Sequence, residues 1–434
     1  MKKIVFLISL ISSFQAISQS LRVGEWRDHL SYIHAYDVCE VGNSMYISTD
    51  RALFEYNTLD NSIERLNTLT SLSDIGVSSI GTSESLLIVA YENGNIDMIR
   101  GDTKVNLPDI KRASLIADKR INHINIDNNL AYLSCGFGVV VIDINREEVK
   151  DTYFIGEYGA QENVLSTSIV HNYIYAATNK GLYRAEAYES NLADYNSWEK
   201  LSAHSQSYID MLESFSGILF VNLHGEEYNT DTLYHFDGTN WVVFEQESSN
   251  MSIKASSKQL VLTSRYNVSV FDQNLNRTHY LYSDQFNIEN TDFNSAIFSD
   301  KDEFWIADKY NGLLHIDGDF FESIKPSGPF LSDGGQIVNF GEEILVAHGV
   351  KSENWDPIWQ KSELSILKKD NWTISNALKE EDFSDIVSVA KRGPTTYLAS
   401  FNKGLAVMTG LNLEEIFSET NSSLQKRAIH DDWI

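Results

Sequence analysis

The strongest constraint on the fold is a short apolar segment that recurs nine times along the 434-residue chain. Successive segments start 40 to 52 residues apart. A period of roughly 43 residues is typical of one four-stranded propeller blade. The nine segments are Met45–Thr49, Leu86–Ala90, Ala131–Cys135, Ile174–Thr178, Ile218–Asn222, Leu260–Ser264, Phe304–Asp308, Ile344–His348 and Thr396–Ser400.

Each segment belongs to a larger unit that predicts four strands. Asn172–Arg184 shows the centre of a unit: an apolar run, a turn with Gly181, and a second apolar run. Glycine supplies the positive φ that tight hairpin turns need. An apolar segment such as Ile121–Ile126 precedes each run and predicts the inner strand. Polar turns followed by aromatic strands predict half-exposed outer strands, at Trp198, Trp241 and Trp372. The pattern favours an all-β propeller over a sandwich, which would not repeat nine times, or a solenoid, whose coils are shorter.

Counting the units predicts a seven-bladed β-propeller followed by the first blades of a second, incomplete β-propeller. The segment Val23–Ser31, with Trp26, resembles an outer strand, and we expect it to complete the seventh blade and remove its open edge. Gly318–Ser323 then becomes the outer strand that opens the second ring, and units from Gln336 and Phe383 are its first two blades. A six- or eight-bladed ring would shift this boundary by one unit.

The sequence predicts three regions: a signal peptide at 1–18, a propeller at 19–317 and a truncated second propeller at 318–434. Lys2 and Lys3 precede the apolar run Ile4–Ile11, which is too short to span a bilayer, and Ala16–Ser18 fits signal cleavage. No other segment reaches membrane length, so we expect an exported protein without a transmembrane segment. Two blades cannot close a ring, so either the chain is a fragment, which we favour, or five further blades come from elsewhere.

The charge balance excludes some partners. The chain has 61 acidic and 34 basic residues and a net charge of −27. Nucleic acid needs a basic surface, so we expect no nucleic-acid binding. Direct adsorption to an anionic surface is also disfavoured, unless the fold gathers basic residues on one face or a metal ion bridges the protein and the surface. Cys39 and Cys135 lie in different units, and we expect both to be buried free thiols.

The motifs of common enzymes are missing from the sequence. Histidines are scattered singly, with no His-Glu-x-x-His pair, and no Gly-x-Ser-x-Gly elbow occurs. Gly136-Phe137-Gly138 fits a hairpin turn, and Asp317-Gly318-Asp319 lacks the alternating ligands of a calcium loop. We therefore predict a non-enzymatic protein with no catalytic residue, no metal site and no cofactor.

Two loops are candidates for binding because they lengthen the connection between the middle strands: Leu223–Thr232 and His348–Glu363. The second contains Trp355, Asp356 and Trp359, which form the candidate partner-binding loop. Exposed aromatic side chains suit a sugar ring or a protein hot spot. The alternative is that both tryptophans pack down and cap the blade.

The sequence also resembles known families. The hairpins in Ile174–Leu182 and Phe304–Leu313 resemble the periplasmic propellers of Bacteroidetes two-component regulators. The opening of the mature chain, Val23–Tyr32 followed by Ala35–Val38, more specifically resembles the PorZ family of the type IX secretion system.

The PorZ resemblance implies two seven-bladed propellers and a C-terminal β-sandwich, of which this chain lacks most of the second ring and the whole sandwich. It implies a non-catalytic protein at the outer-membrane cell surface that joins the sortase PorU, PorV and PorQ and binds anionic lipopolysaccharide. The alternative hypotheses are the periplasmic sensor portion of a hybrid two-component regulator and, less favoured, a carbohydrate-active propeller enzyme with a central carboxylate cluster.

Overall fold

The computed structural model describes residues 26–425, except 189, 287, 289, 350, 351, 353, 355, 360, 362, 379, 380, 382 and 402. The predicted signal peptide at 1–18 lies outside this range. The described residues form nine antiparallel sheets of four strands in a propeller-like arrangement. In every sheet the four strands are consecutive in the chain, and each pairs with the strand before it.

The first four sheets span residues 35 to 200. The first contains β1 (Ala35–Val41), β2 (Ser44–Thr49), β3 (Leu53–Asn57) and β4 (Ile63–Leu66). The second contains β5 (Val77–Ser83), β6 (Leu86–Tyr91), β7 (Ile96–Arg100) and β8 (Thr103–Asn106). The third contains β9 (Ile121–Asp127), β10 (Leu130–Cys135), β11 (Gly138–Asp143) and β12 (Glu148–Tyr153). The fourth contains β13 (Val164–Val170), β14 (Tyr173–Thr178), β15 (Gly181–Glu186) and β16 (Glu199–Lys200).

The next three sheets span residues 209 to 324. The fifth contains β17 (Ile209–Phe215), β18 (Ile218–Leu223), β19 (Asp231–Phe236) and β20 (Trp241–Ser248). The sixth contains β21 (Asn250–Ala255), β22 (Leu260–Ser264), β23 (Asn267–Phe271) and β24 (Arg277–Tyr282). The seventh contains β25 (Phe293–Phe298), β26 (Phe304–Asp308), β27 (Gly312–Asp317) and β28 (Phe320–Ile324).

The last two sheets follow a connection at residues 325–335. The eighth contains β29 (Gln336–Phe340), β30 (Glu343–Ala347), β31 (Ser365–Lys368) and β32 (Asn371–Ile374). The ninth contains β33 (Ile386–Arg392), β34 (Thr395–Ser400), β35 (Leu405–Thr409) and β36 (Asn412–Phe417). A single α-helical turn, α1 (Asp109–Arg112), connects the second and third sheets. Each of the nine apolar segments forms the second strand of its sheet, as predicted.

The core consists of apolar clusters between neighbouring sheets. The second strands supply much of it because both of their faces are covered; every residue of β6 is buried. Six successive clusters connect neighbouring sheets from the first to the seventh. A further cluster, with Tyr32, Ile47 and Trp305, connects the first sheet to the seventh. A separate cluster joins the eighth and ninth sheets.

The predictions for the edge of the seventh sheet are wrong. Gly318–Ser323 was expected to open a second ring, but the strand in this region, β28 (Phe320–Ile324), pairs with β27, with Leu313 opposite Ile324. The seventh sheet is therefore complete from its own chain segment and needs no closing strand. The described part of the Trp26 segment contains no strand, and Trp26 is 85% exposed.

The segment before β1 instead contacts the connection to the eighth sheet. The backbone N–H of Ser31 donates to Ser332 Oγ at 3.0 Å, and Arg27 pairs with Asp370 at 2.9 Å. His29 and Trp372 lie edge to face, with the indole N–H 3.1 Å from His29 Nδ1. This aromatic segment therefore ties the first and eighth sheets together.

Cys39 and Cys135 are buried and not disulfide-bonded, as predicted. Burial raises the pKa of both thiols. Among the described residues, no helix is long and apolar enough to cross a membrane.

Candidate functional site

The predicted partner-binding loop lies between β30 and β31. Trp355 is outside the described residues. Asp356 is exposed, and its backbone N–H donates to Ser352 Oγ at 2.9 Å, which forms a compact turn. Trp359 is 52% exposed, and its backbone N–H donates to Asp385 Oδ2 at 3.0 Å. The Lys403 ammonium lies 5.8 Å from the centre of the Trp359 ring.

The backbone of Trp359 is in the left-handed region, with φ of 58°. A bulky residue is rare in this conformation, and surrounding contacts must hold it there. The hydrogen bond to Asp385 is one such contact. Of the predicted trio, the structure thus places Asp356 and Trp359 on one loop beside the ninth sheet, with Trp359 about half exposed.

A second group of side chains lies on the face formed by the turns between second and third strands. In several sheets the residue after the second strand donates its backbone N–H to the connection that precedes the same sheet. This hydrogen bond joins His224 to Tyr208 O at 2.9 Å, Arg265 to Ser249 O at 3.0 Å and Lys309 to Asp292 O at 2.9 Å. The same bond joins Glu92 to Gly76 O and Gly136 to Arg120 O. The fifth, sixth and seventh sheets therefore place His224, Arg265 and Lys309 at equivalent positions, and we call these three residues the basic arc.

A cleft of about 440 Å³ opens beside the basic arc, between the loops of the fifth, sixth and seventh sheets. We call it the face cleft. One wall is the lengthened loop at residues 224–230, which the sequence had indicated as a binding loop. The cleft is lined by His224, Gly225, Glu226, Glu227, Tyr228, Asp231, Ser249, Asn250, Met251, Arg265, Asp292, Asn294 and Lys309.

Buried carboxylates fix the side of the cleft that the fifth sheet forms. Asp231 is 3% exposed and accepts the N–H groups of Gly225 and Asn250, both at 2.8 Å. His224 Nδ1 lies 3.2 Å from Asp231 Oδ1 and 3.5 Å from Asp210 Oδ2. The pKa of Asp210 is raised to about 6, chiefly by burial and also by the nearby Asp231 carboxylate, while the amide of Asn222 and the His224 charge oppose the rise. These contacts fix the geometry of this side of the cleft.

A planar ion pair between the sixth and seventh sheets forms the other side of the cleft. Arg265 contacts Asp292 with two nitrogen atoms, Nε at 3.1 Å and Nη2 at 2.9 Å. Bidentate pairs of this kind fix orientation as well as charge. Lys309 Nζ is 3.9 Å from Asp292 Oδ2, beyond hydrogen-bond distance. The Arg265 guanidinium lies 5.9 Å from the ring centre of Tyr228 and 5.7 Å from that of Tyr266.

A third polar group joins the innermost strands of several sheets. Lys254 on β21 donates to Asp37 on β1 at 2.5 Å, and Ser295 on β25 donates to the same carboxylate oxygen at 2.7 Å. Burial lowers the pKa of His123 to about 4 and raises the pKa of Glu213 to about 7. These groups hold inner strands together across sheets, and this is a structural role.

The described residues contain no group of three or more His, Cys, Asp or Glu side chains that could hold a metal ion. The sequence analysis missed the basic arc. Its signal was the residue just after each apolar segment, which is Arg265 after Leu260–Ser264 and Lys309 after Phe304–Asp308. Aligning those positions, rather than the segments alone, would have shown consecutive basic residues.

Part of the chain matches a protein-family model. Residues 45–199 match the model of the PorZ N-terminal β-propeller domain of the type IX secretion system. The matched range runs from β2 to the start of β16, within the first four sheets. It does not include Val23–Val38, where the resemblance was sharpest in the sequence. No curated protein matches the sequence.

Comparison with solved structures places PorZ among the similar folds. PorZ of Porphyromonas gingivalis, an essential bacterial surface component of its type IX secretion system, has a TM-score of 0.75 and 17% sequence identity. The similarity covers 92% of this chain and 54% of PorZ, so the chain spans about half the length of that protein. The extracellular domain of a hybrid two-component system from B. thetaiotaomicron has a TM-score of 0.50 and 12% identity, over 92% of this chain and 54% of that domain.

At 17% and 12% sequence identity, these two structural similarities establish the fold and nothing further. The family match is independent evidence, because it depends on the sequence of residues 45–199. Together with the similarity that covers 92% of the chain, it confirms the predicted resemblance of this protein to PorZ.

Proposed function

We propose that the chain is a non-enzymatic accessory protein of type IX secretion that acts as a scaffold at the cell surface. The observation that carries this proposal is the match of residues 45–199 to the PorZ N-terminal propeller domain. The two-component sensor domain has the same fold with a lower TM-score. The alternative of a hybrid two-component sensor is therefore supported by fold alone.

The proposal includes an architecture. The first seven sheets act as the blades of one propeller, and the eighth and ninth sheets belong to a second. The apolar cluster between the first and seventh sheets supports this ring, since it completes a cycle of packed neighbours. The boundary at 317/318 shifts past Ile324, because β28 pairs within the seventh sheet. The signal peptide at 1–18 and export remain part of the proposal.

The proposed partners are the sortase PorU, PorV, PorQ and anionic lipopolysaccharide. The exposed Trp359 ring on the loop beside the ninth sheet is the proposed protein contact, because large aromatic side chains dominate binding hot spots. Lipopolysaccharide is anionic and the chain has a net charge of −27, so contact with it requires a local basic surface or a bridging cation.

The test is deletion of the gene in the bacterium that encodes it, with measurement of secreted and surface-anchored type IX cargo. The proposal predicts that cargo accumulates inside the cell and that the wild-type gene restores secretion. The Trp359→Ala variant is expected to restore it poorly, whereas Trp26→Ala, at another exposed tryptophan, restores it fully. Unchanged secretion in the deletion strain would contradict the proposed function. Full restoration of secretion by Trp359→Ala would show that this loop is not needed for the proposed function.

A further inference from the structure

We propose that the face cleft binds a neutral sugar residue of a glycan. This inference rests on the proposed function, because lipopolysaccharide would supply the glycan. It names a ligand class and a place for it, namely the saccharide part at the loops of the fifth, sixth and seventh sheets. The proposed contact through Trp359 lies elsewhere, beside the ninth sheet.

The size of the cleft suits a small saccharide. Its volume of about 440 Å³ lies in the range of roughly 300–1,000 Å³ that is usual for small-molecule sites. The cleft is also preformed, because two of its walls are fixed by the buried contacts of Asp231 and Asp292. A preformed site loses little conformational entropy when it binds a ligand.

The polar groups of the cleft match the chemistry of sugar hydroxyls, which donate and accept hydrogen bonds at the same time. Glu226 and Glu227 line the cleft and are exposed, so their carboxylate oxygens supply acceptors. Lys309 supplies donors, since its Nζ lies 3.9 Å from Asp292 and its side chain is 43% exposed. The Arg265 fork adds planar donors that its contact with Asp292 holds at a fixed angle.

The charge of the cleft favours a neutral ligand over a free anion. The basic side chains Arg265 and Lys309 face two buried carboxylates, Asp231 and Asp292, and Arg265 is already paired with Asp292. Glu226 and Glu227 add negative charge to the lining. A free phosphate would meet no excess of positive charge, whereas a neutral hydroxyl group meets donors and acceptors together.

An aromatic ring completes the site. Tyr228 lies in the loop at residues 224–230 and is 57% exposed. The Arg265 guanidinium, 5.9 Å from its ring centre, supports the ring from one direction. Tyrosine offers a flat apolar face together with a polar hydroxyl group. The C–H face of a pyranose can stack on this ring while its hydroxyl groups bond to Lys309 and to the exposed carboxylates of Glu226 and Glu227.

The test is saturation-transfer NMR with the purified chain and four sugars: D-glucose, D-galactose, D-mannose and N-acetyl-D-glucosamine. Inorganic phosphate is titrated separately as the anionic probe, by ³¹P NMR. We expect at least one sugar to bind at millimolar concentration. Tyr228→Ala is expected to weaken binding about fivefold or more, as loss of aromatic stacking would. The matched control is Tyr188→Ala, which removes a tyrosine that is also 57% exposed but lies outside the cleft.

Lys309→Gln provides a second variant, in case Tyr228→Ala changes the loop. Thermal melting shows whether each variant is folded. Absence of sugar binding, binding that both variants leave unchanged, or phosphate binding without sugar binding would each overturn the proposal.

The two proposals fail separately when the same variants are tested with purified lipopolysaccharide. If the wild-type chain binds lipopolysaccharide and both cleft variants bind it equally well, the cleft proposal fails while the proposed function stands. If sugars bind at the cleft but lipopolysaccharide does not bind, the cleft proposal stands and the lipopolysaccharide part of the proposed function fails.

Discussion

Glu213 offers a quantitative test of the interior of the first seven sheets. It lies on β17, the innermost strand of the fifth sheet, and accepts the N–H of Ser214 at 2.9 Å. Burial raises its pKa from 4.5 to about 7, although two backbone hydrogen bonds and the charge of Lys254 oppose the shift. A rise of this size corresponds to roughly 3 kcal/mol. Partial access to solvent reduces our expectation to about 1–2 kcal/mol.

The sign of the pH dependence follows from the two states of the protein. Below pH 4.5 Glu213 is protonated in both states and contributes nothing. As the pH rises to about 7, the unfolded chain loses this proton while the folded chain keeps it. The free energy of unfolding therefore falls through this window. Glu213→Gln, which cannot ionise, is expected to be about 1–2 kcal/mol more stable than the wild type near pH 8 and equally stable near pH 4.

The assay is urea unfolding followed by tryptophan fluorescence across this pH range. Glu414→Gln is the matched control, because Glu414 is exposed on β36 and should change stability little at any pH. If Glu213→Gln were no more stable than the wild type near pH 8, the carboxyl would not be buried at a cost. A gain that is constant across the pH range would also refute the reasoning.

Three further predictions concern packing and burial. Gly138→Ala is expected to destabilise the protein by about 2 kcal/mol more than Gly42→Ala. The reason is that a Cβ at Gly138 would lie 2.2 Å from a backbone oxygen, whereas Gly42 faces open space. Equal changes in the free energy of urea unfolding would contradict this. Arg265→Met is expected to cost about 2 kcal/mol in the same assay, because it removes the hydrogen-bonded partner of the buried Asp292 carboxylate and leaves only Lys309, 3.9 Å away; a loss below about 1 kcal/mol would argue against the pair. Ellman's reagent is expected to spare Cys39 and Cys135 until urea unfolds the chain; rapid reaction of the native protein would disprove their burial.

The sequence was most informative where one local rule repeats. Every second strand is an apolar run next to a turn, and this pattern depends only on residues close in the chain. For example, Phe304–Asp308 is β26, and all five of its residues are buried. The hairpin turn at Gly181, with φ of 118°, was also predictable, because few other residues adopt that conformation.

The edge of the seventh sheet was not predictable by the same rule. Outer strands are half exposed, so their sequences carry little apolar signal, and Trp26 and Phe320–Ile324 fitted the pattern equally well. The choice depends on which strand pairs with β27, a contact that the local sequence does not record. The aromatic segment at Trp26 resembled an outer strand, yet its neighbours His29 and Ser31 contact the eighth sheet and its connection.

The basic arc was hidden for another reason. His224, Arg265 and Lys309 are 41 and 44 residues apart, and each lies in a different sheet. Packing of consecutive sheets brings the three together on one face. The candidate loop shows the opposite case, because Asp356 and Trp359 are close in sequence and lie on one loop, where both are exposed.

The most direct test of the central claim is to identify the proteins that bind this chain in its own bacterium. The tagged protein, cross-linked in living cells and purified from the outer membrane, is expected to carry PorU, PorV and PorQ with it. Recovery of these partners should fall with Trp359→Ala and not with Trp26→Ala. Purification without any of the three, or with a histidine kinase in their place, would contradict a role in type IX secretion and favour the sensor alternative.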